Sequence, residues 1–493
     1  MNKAPETLTR VEDLEQSDIL PEGWSVASLG DVSTARLGKT PSKNDYSDTG
    51  QHRIVKFRDL TSKGLNYSIT KAGYVKNSSD ALRGLRRLSI GDVLVTASAH
   101  SGDQIGKKCA YVREMPEARD GVYFVGELLA VTSDTRVMHK KWPYLWFLSE
   151  AGMETVQAAV AGVHLTAGRA QGIPIPIPPF EEQRRIIVSS DALLAKVEVV
   201  RDHFSKLTII LKAFRQSVLA AACSGRLTED WRARASHSEL SESELPPDWR
   251  AGELAELCVS IADGDHQPPP KQSNGIPFLV IGNISSGALE FGETRFVSES
   301  YFKRIKSERI PRRGDVLYTV VGASIGIPVV VDTDRPFCFQ RHIAILKPAS
   351  TTTTGYLRLV MQSRDLYRQA WEGVTGSAQP TLPLGNLRRL AVLIPPIEEQ
   401  NEIVRRVEAL FRLADKIEER TEAATKRADK LTQSILAKAF RGELVPTEAE
   451  LARKEGRDYE PASALLERIK SEREKSAAST NDIKRRKIVV GKK

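Results

Sequence analysis

Two stretches of this chain place an apolar residue every three or four positions for more than four heptads. The first runs Ile186, Ser190, Leu193, Val197, Val200, Phe204, Leu207, Leu211, Phe214 and Val218, with one polar residue among the ten. The second lies 217 residues further on, at Ile403, Val407, Leu410, Ala414, Ile417, Thr421, Ala424, Ala428, Leu431 and Ile435, again with nine of ten apolar. Such spacing lines one stripe of a helix and marks a coiled-coil seam. At mid-length the first seam is bulky (Phe204, Leu207, Leu211) and the second small (Thr421, Ala424, Ala428). Large knobs over small holes suit an antiparallel pair, in which middle faces middle. A helix over residues 180 to 222 would be roughly 64 Å long at about 1.5 Å per residue, enough to separate two globular units.

Both helices have marked ends. IPPFEEQ at 177–183 and IPPIEEQ at 394–400 agree in six positions of seven, and QSVLAAACSGRL at 216–227 and QSILAKAFRGEL at 433–444 agree in seven of twelve. The prolines suit a first helical turn, the glutamates complement the positive end of the helix dipole, and Gly225 and Gly442 suit the stops. Weaker echoes lie upstream, Trp24 with Trp249 and GDVLVT at 91–96 with GDVLYT at 314–319. The chain therefore reads as a duplicated unit with alike helices and divergent interiors.

Those interiors alternate short β-rich runs (53–57, 92–96, 277–281, 315–321) with Gly/Pro/Asn/Ser turns, and each carries a helical stretch late on, at 142–160 and 354–372. The predicted class is α+β, with partly antiparallel sheets. The predicted layout is a polar segment 1–20, a domain 21–176, a spacer helix 177–227, a linker 228–245, a second domain 246–393, a second spacer helix 394–444, and a short helix with a basic disordered tail over 445–493.

Composition adds little. With 493 residues, 41% apolar, and no run of eighteen apolar residues or secretory leader, the chain reads as a cytoplasmic protein without a membrane span. Cys109, Cys223, Cys258 and Cys338 form no CxxC pair and read as buried, reduced thiols; the histidines form no metal cluster. The net charge of +9 hints at a polyanion, but residues 471–493 supply eight cations against three acids. Only a modest bias is left for the body of the chain.

Enzyme motifs fail one by one. An adenine methyltransferase needs Asn or Asp before Pro-Pro-aromatic to hold the target amino group, and Ile177 precedes Pro178, Pro179 and Phe180 here. SGDQIGKK at 101–108 has one residue too few between its glycines for a phosphate loop, and Lys108 replaces the hydroxyl that would bind magnesium. No glycine-rich cofactor loop and no nucleophile elbow occur. The residues describe a chain that reads or scaffolds.

The paired PP(F/I)EEQ starts, the QS(V/I)LAxA helix ends, SGRLTEDWR at 224–232, FRGELVP at 440–446 and the GDVL runs together closely resemble the specificity subunit of Type I restriction–modification systems, over about 21–470. The resemblance implies two target-recognition domains related by a pseudo-two-fold, each reading half of a bipartite site in double-stranded DNA, with the helices as spacer and docking surface. It implies two methyltransferase subunits as partners, and two restriction/translocase subunits in the restriction complex. S-adenosylmethionine, ATP and magnesium would belong to those partners. Two other classes stay open on the residues alone: a coiled-coil scaffold whose ends bind proteins, and a degenerate methyltransferase.

Base edges and phosphates are met by Arg, Lys, Asn, Gln and His on turn-rich segments. In the first domain the candidates are Lys39, Thr40, Lys43, Lys56, Arg58, His100, Ser101, Gln104 and Lys107. In the second they are His266, Gln267, Lys271, Asn283, Ser324, Gln340, Arg341 and His342. Gly38 and Gly264 read as loop-shaping glycines.

Overall fold

The computed structural model describes residues 20–475 except 62–63, 68–72, 116–119, 236–244, 247, 265–268, 271 and 377–378. The described residues form two compact units, one built from the chain up to Asp202 together with that from Thr425 onward, the other from His203 to Ala424. Two 44-residue helices, Phe180–Cys223 and Ile397–Phe440, each run from one unit into the other. They start directly after the proline pairs and end two residues before Gly225 and Gly442, whose φ of 77° and 68° is a left-handed conformation that glycine adopts without strain.

Within each unit the entry and exit strands of the domain pair antiparallel, Ser25–Ser28 with Pro174–Ile177 and Arg250–Glu253 with Ala391–Ile394. Each unit also has two larger sheets, and the first unit adds the short pair Leu60–Thr61 with Gly64–Leu65. In the first unit the central sheet is ordered Ser33–Leu37, Leu128–Ser133, Val93–Thr96, Cys109–Tyr111; in the second it is Cys258–Asp263, Ile343–Pro348, Val316–Thr319, Pro328–Val330. The second sheet of each unit contains one parallel pair, Gly121–Phe124 beside His52–Val55 and Cys338–Phe339 beside Ile276–Leu279. The helical stretches expected late in each domain are each split in two by a serine that caps the next helix, Ser149 and Ser363.

The EEQ motif has more to do than offset a dipole. Glu182 and Glu399 are buried, and each accepts a hydrogen bond at 2.8 Å from the indole Nε1 of its domain's entry tryptophan, Trp24 or Trp249. Gln183 accepts from the His139 amide and donates to the carbonyls of Val137 and Pro178; Gln400 repeats this with Thr353, Thr351 and Pro395. Buried side-chain groups need such partners, so one tripeptide fixes the angle at which each helix leaves its domain. Burial pushes the Glu182 carboxyl up from its usual value, while the Glu448 amide and Trp24 indole hold it down.

Each helix ends inside the unit that its own domain does not belong to. Val218, Leu219 and Ala222 of the first helix join the core of the second unit, and Leu436, Ala439 and Phe440 of the second helix join the core of the first. Phe440 lies edge-on to Trp142 and Trp146, with ring centres 4.9 and 4.8 Å apart. The segment C-terminal to each helix stays with the unit that its helix end has entered. Thr228 and Arg232 donate to Glu399, whereas Ala462, Leu465 and Ile469 enter the first core. The linker expected over 228–245 thus begins as a helix, Glu229–Ala235. The short helix expected in the tail becomes Glu448–Glu455 and a second helix over 462–475, with Arg473 bonded to Asp134 at 3.0 Å. The basic run after 475 lies outside the described residues.

In the first unit Ile186, Ser190, Val197, Ala428 and Ile435 of the predicted seam are buried, with Leu193 half-buried. In the second, Leu211, Val218, Ile403, Val407, Ala414 and Thr421 are buried, with Phe204, Leu207, Phe214, Leu410 and Ala424 half-buried. Three seam residues correct the reading: Val200, Ile417 and Leu431 are 43, 36 and 52% exposed. Beside two of them Arg201 and Thr432 turn inward, joined at 3.2 Å. A straight helix drifts about 20° per heptad from a strict seven-residue repeat, which rotates some seam positions out of contact. Arg201 pairs with Asp429 in the first unit and Arg215 with Asp415 in the second, fourteen residues on along one helix and fourteen back on the other. The helices therefore run antiparallel, in one register.

Cys109 and Cys338 are buried, Cys223 and Cys258 only half-buried, and all four are free. Among the described residues no single helix is long and apolar enough to cross a membrane.

Candidate nucleic-acid interface

Strand direction gathers the candidate residues at one edge of each domain. In the first domain, loops 38–43, 97–108 and 124–127 leave the same end of the central sheet, because the strands they join are antiparallel neighbours. The turn after His52–Val55 arrives there too, since that strand is parallel to Gly121–Phe124 and Val125 donates its amide to Val55. Lys39, Thr40, Lys43, Lys56, Arg58, His100, Ser101, Gln104 and Lys107 all sit on these loops, and all but half-buried Lys56 are exposed.

Bonds between the loops hold the edge together. Thr40 Oγ1 accepts the Gly126 amide at 3.0 Å, and Lys39 Nζ donates to the Arg83 carbonyl at 2.7 Å. Lys56 lies 4.1 Å from the Tyr46 ring centre and Lys108 4.2 Å from that of Phe57, so both are held by cation–π contact. Burial lowers the ammonium pKa of Lys56.

The second domain repeats the arrangement with Gly264 after the strand Cys258–Asp263 and with loops 280–286, 320–327 and 340–342. A Cβ on Gly38 would collide with the carbonyls of Phe124 and Val125, and one on Gly264 with those of Phe339 and Gln340. Both glycines therefore let one loop lie against the next, as their sequence positions suggested. Gln340 and His342 are half-buried, Arg341 exposed, and Ser324 half-buried with its carbonyl taken by Thr319 Oγ1. Burial and the charge of Arg341 hold the His342 imidazole below its usual pKa, so it is neutral near pH 7 and offers one donor and one acceptor. His266, Gln267 and Lys271 lie outside the described residues.

Asn283 needs a different explanation from base contact. It is buried, accepts the Val280 amide at 2.9 Å, and donates to the Glu293 carbonyl at 3.4 Å. Asp59 occupies the same place in the first domain, buried and accepting the Lys56 amide at 2.8 Å. Both side chains close a short turn, which leaves neither free for a ligand.

One functional side chain at this edge, the acid Asp103, is absent from the residue types that the sequence singles out. Ser101 Oγ, Gln104 Nε2 and Lys107 Nζ converge on the exposed Asp103 carboxylate at 2.5, 2.7 and 3.0 Å. The Ser101 and Lys107 bonds pull its pKa to about 2. This loop thus presents a fixed anion, the group that accepts from the exocyclic amine of cytosine. The signal was an acid flanked by donors within one short run.

Among the described residues no cluster of His, Cys, Asp or Glu could hold a metal ion. The GDVL aspartates serve the fold: buried Asp92 and Asp315 cap the turns before their strands and pair with Arg36 at 3.0 Å and Lys347 at 2.6 Å.

Comparison with known proteins gives a consistent picture. Residues 21–199 and 246–427 match the family model of the Type I restriction modification DNA specificity domain. The Type I restriction enzyme EcoBI specificity subunit of Escherichia coli is 35% identical over 338 residues, covering 66% of this chain and 70% of that protein. The EcoKI specificity subunit of Escherichia coli strain K12 is 28% identical over 473 residues, covering 92% and 96%. A chain from a structural study of complex assembly and conformational transition of the type I R-M system superposes with a TM-score of 0.63 at 21% identity, covering 86% of this chain and 99% of that one.

Proposed function

Because the chain belongs to the Type I restriction–modification DNA specificity family, we propose that it reads DNA sequence for such a system and performs no chemistry itself, each domain reading one half of a bipartite site. The observation that carries this reading is the duplicated edge, where equivalent sheets deliver equivalent loops of different sequence. Like scaffolds with unlike loops suit two half-sites that differ in sequence. Mapping methylated adenines across the genome with and without the gene is the test. Loss of methylation at one two-part sequence is expected, and an unchanged map would refute the reading.

The methyltransferase subunits, two in number, dock on the long helices in this proposal. Supporting it, the first helix leaves Val188 and Val199 exposed in the first unit and Ile209 and Ile210 in the second, apolar surface that a partner helix would cover. S-adenosylmethionine belongs to those partners, with ATP and magnesium in restriction/translocase subunits. The isolated chain should show no cofactor binding by calorimetry, and a micromolar affinity would contradict the assignment.

The helix pair also serves as a ruler. One heptad inserted into each helix, after Phe204 and after Thr421, keeps both seams in phase and adds roughly 10 Å at about 1.5 Å per residue. That is about three base pairs at roughly 3.4 Å each. The variant should still bind its methyltransferase yet lose about tenfold or more in affinity for the native spacing, the scale of a mismatched base pair or worse. Gel shifts on sites whose spacer is altered one base pair at a time would measure this, and an unchanged optimum would remove the helices as the ruler.

A further inference from the structure

In each domain a basic segment lies against the loop edge, and it contains none of the candidate base-reading residues. It begins after a short helix capped by a serine, Ser78 before Ser79–Leu82 and Ser298 before Glu299–Phe302. It ends at the buried turn aspartate, Asp92 or Asp315. Between these fixed points the two domains differ in sequence and in length, yet both are cationic. The first has Arg83, Arg86 and Arg87 with no acid after Asp80; the second has six cations and one acid over residues 303–313.

Position and pairing both point outward. The Arg83 carbonyl accepts from Lys39, so the first segment touches the loop that carries Lys39 and Thr40. In the second domain Arg304, Lys306 and Arg309, with Tyr301 and Ile305, line a groove of about 410 Å³ whose other wall is Gly264, Cys338 and Phe339, the chain that leads into Gln340–His342. Four of the cations have acidic neighbours: Arg83 lies 3.4 Å from Asp80, Lys303 3.7 Å from Glu299, Arg309 3.4 Å from Asp263, and Arg313 2.9 Å from Asp334. Among the described residues, Arg86, Arg87, Arg304 and Lys306 are exposed and pair with no carboxylate.

Exposed, unpaired cations beside a reading edge suit a polyanion's backbone better than its bases. Long flexible side chains on a ridge reach phosphates, whereas base readout needs fixed donors and acceptors. We propose that these two segments are the DNA-backbone grips of their domains, Arg86 and Arg87 in the first and Arg304 and Lys306 in the second, with Arg309 on the groove wall. The proposal rests on the DNA-reading function and adds where each domain holds phosphate. It assigns the grips no part in choosing the sequence.

The test uses the full chain in complex with its methyltransferase subunits. Affinity is measured against salt concentration on two duplexes, one carrying the sequence whose methylation depends on the gene and one of random sequence. Arg304→Ala/Lys306→Ala should lower the slope of log affinity against log salt by about 1.8, which shrinks the change between about 50 and 200 mM salt roughly twelvefold. Both duplexes should weaken by the same factor, leaving the preference between them intact. Arg86→Ala/Arg87→Ala should do the same, and glutamine replaces alanine where alanine lowers the melting temperature. An unchanged slope, or an altered preference, would overturn the grip assignment while the reading function stands. A wild-type complex that shows no preference for the native duplex would instead sink that function.

Discussion

Exchanging residues 246–393 for the corresponding unit of another family member is expected to replace one half of the methylated sequence and leave the other half unchanged. Both cut points lie at one closed end of the domain, where Arg250–Glu253 pairs with Ala391–Ile394. The loops at the opposite, reading edge all lie inside the exchanged stretch, so the specificity travels with them. The buried motif sets one condition. The incoming unit must carry a tryptophan at the place of Trp249, because Glu399 is buried and would otherwise lose its indole donor. Methylome sequencing reads the outcome directly, and a change in both halves, or in neither, would contradict one domain per half-site.

Removing Glu399 should be the most damaging single substitution in the second unit. Its carboxylate, 1% exposed, accepts from Trp249 Nε1 at 2.8 Å, from Thr228 Oγ1 at 2.6 Å, and from Arg232. Alanine leaves the Trp249 indole without its acceptor and takes the counter-charge from a guanidinium 14% exposed, which keeps its bonds to Gly225 and Thr228. Breaking one side of a buried ion pair costs about 3–5 kcal/mol. Glu182→Ala should cost less, about 1–3 kcal/mol, because its bonded donors are the Trp24 indole and the Glu448 amide, both neutral. Hydrogen exchange resolved by segment would show protection falling across the second unit in one variant and the first unit in the other. Equal losses in both would mean that the Arg232 charge does not distinguish the two clamps.

The helices were plain in the sequence because their signals are local and periodic. Proline pairs, a repeated apolar step and a terminal glycine each act within a few residues, and the observed bounds follow them closely. Val200, Ile417 and Leu431 escaped because an ideal heptad ignores the drift of a straight helix. The role of Glu182 and Glu399 escaped for another reason. An acid in a first helical turn suits the dipole whether exposed or buried, and only the partner 150 residues or more away decides between the two. At the loop edges the residue types were readable but their obligations were not. Asn283 is of a base-reading type but closes the same turn as Asp59, and Asp103 is an acid whose use of its neighbours as donors shows only in three dimensions. Which segment lies beside which loop is set by strand direction and pairing, long-range facts that one-dimensional spacing does not carry.

The exchange of helix ends between units dictates an order of biosynthesis. The second unit is continuous in the chain, His203–Ala424, so everything it needs has left the ribosome before the second helix is complete. The first unit is made first and finished last. Trp142 and Trp146 wait for Phe440, and the same core waits for Ala462, Leu465 and Ile469. Translation proceeds at about 5–20 residues per second, so roughly 220 intervening residues impose a delay of about 10–45 s. During that interval a nascent N-terminal domain exposes aromatic surface with no covering partner in its own chain. A premature stop near residue 424 would therefore spare the unit translated later and leave the one translated earlier without its closing piece.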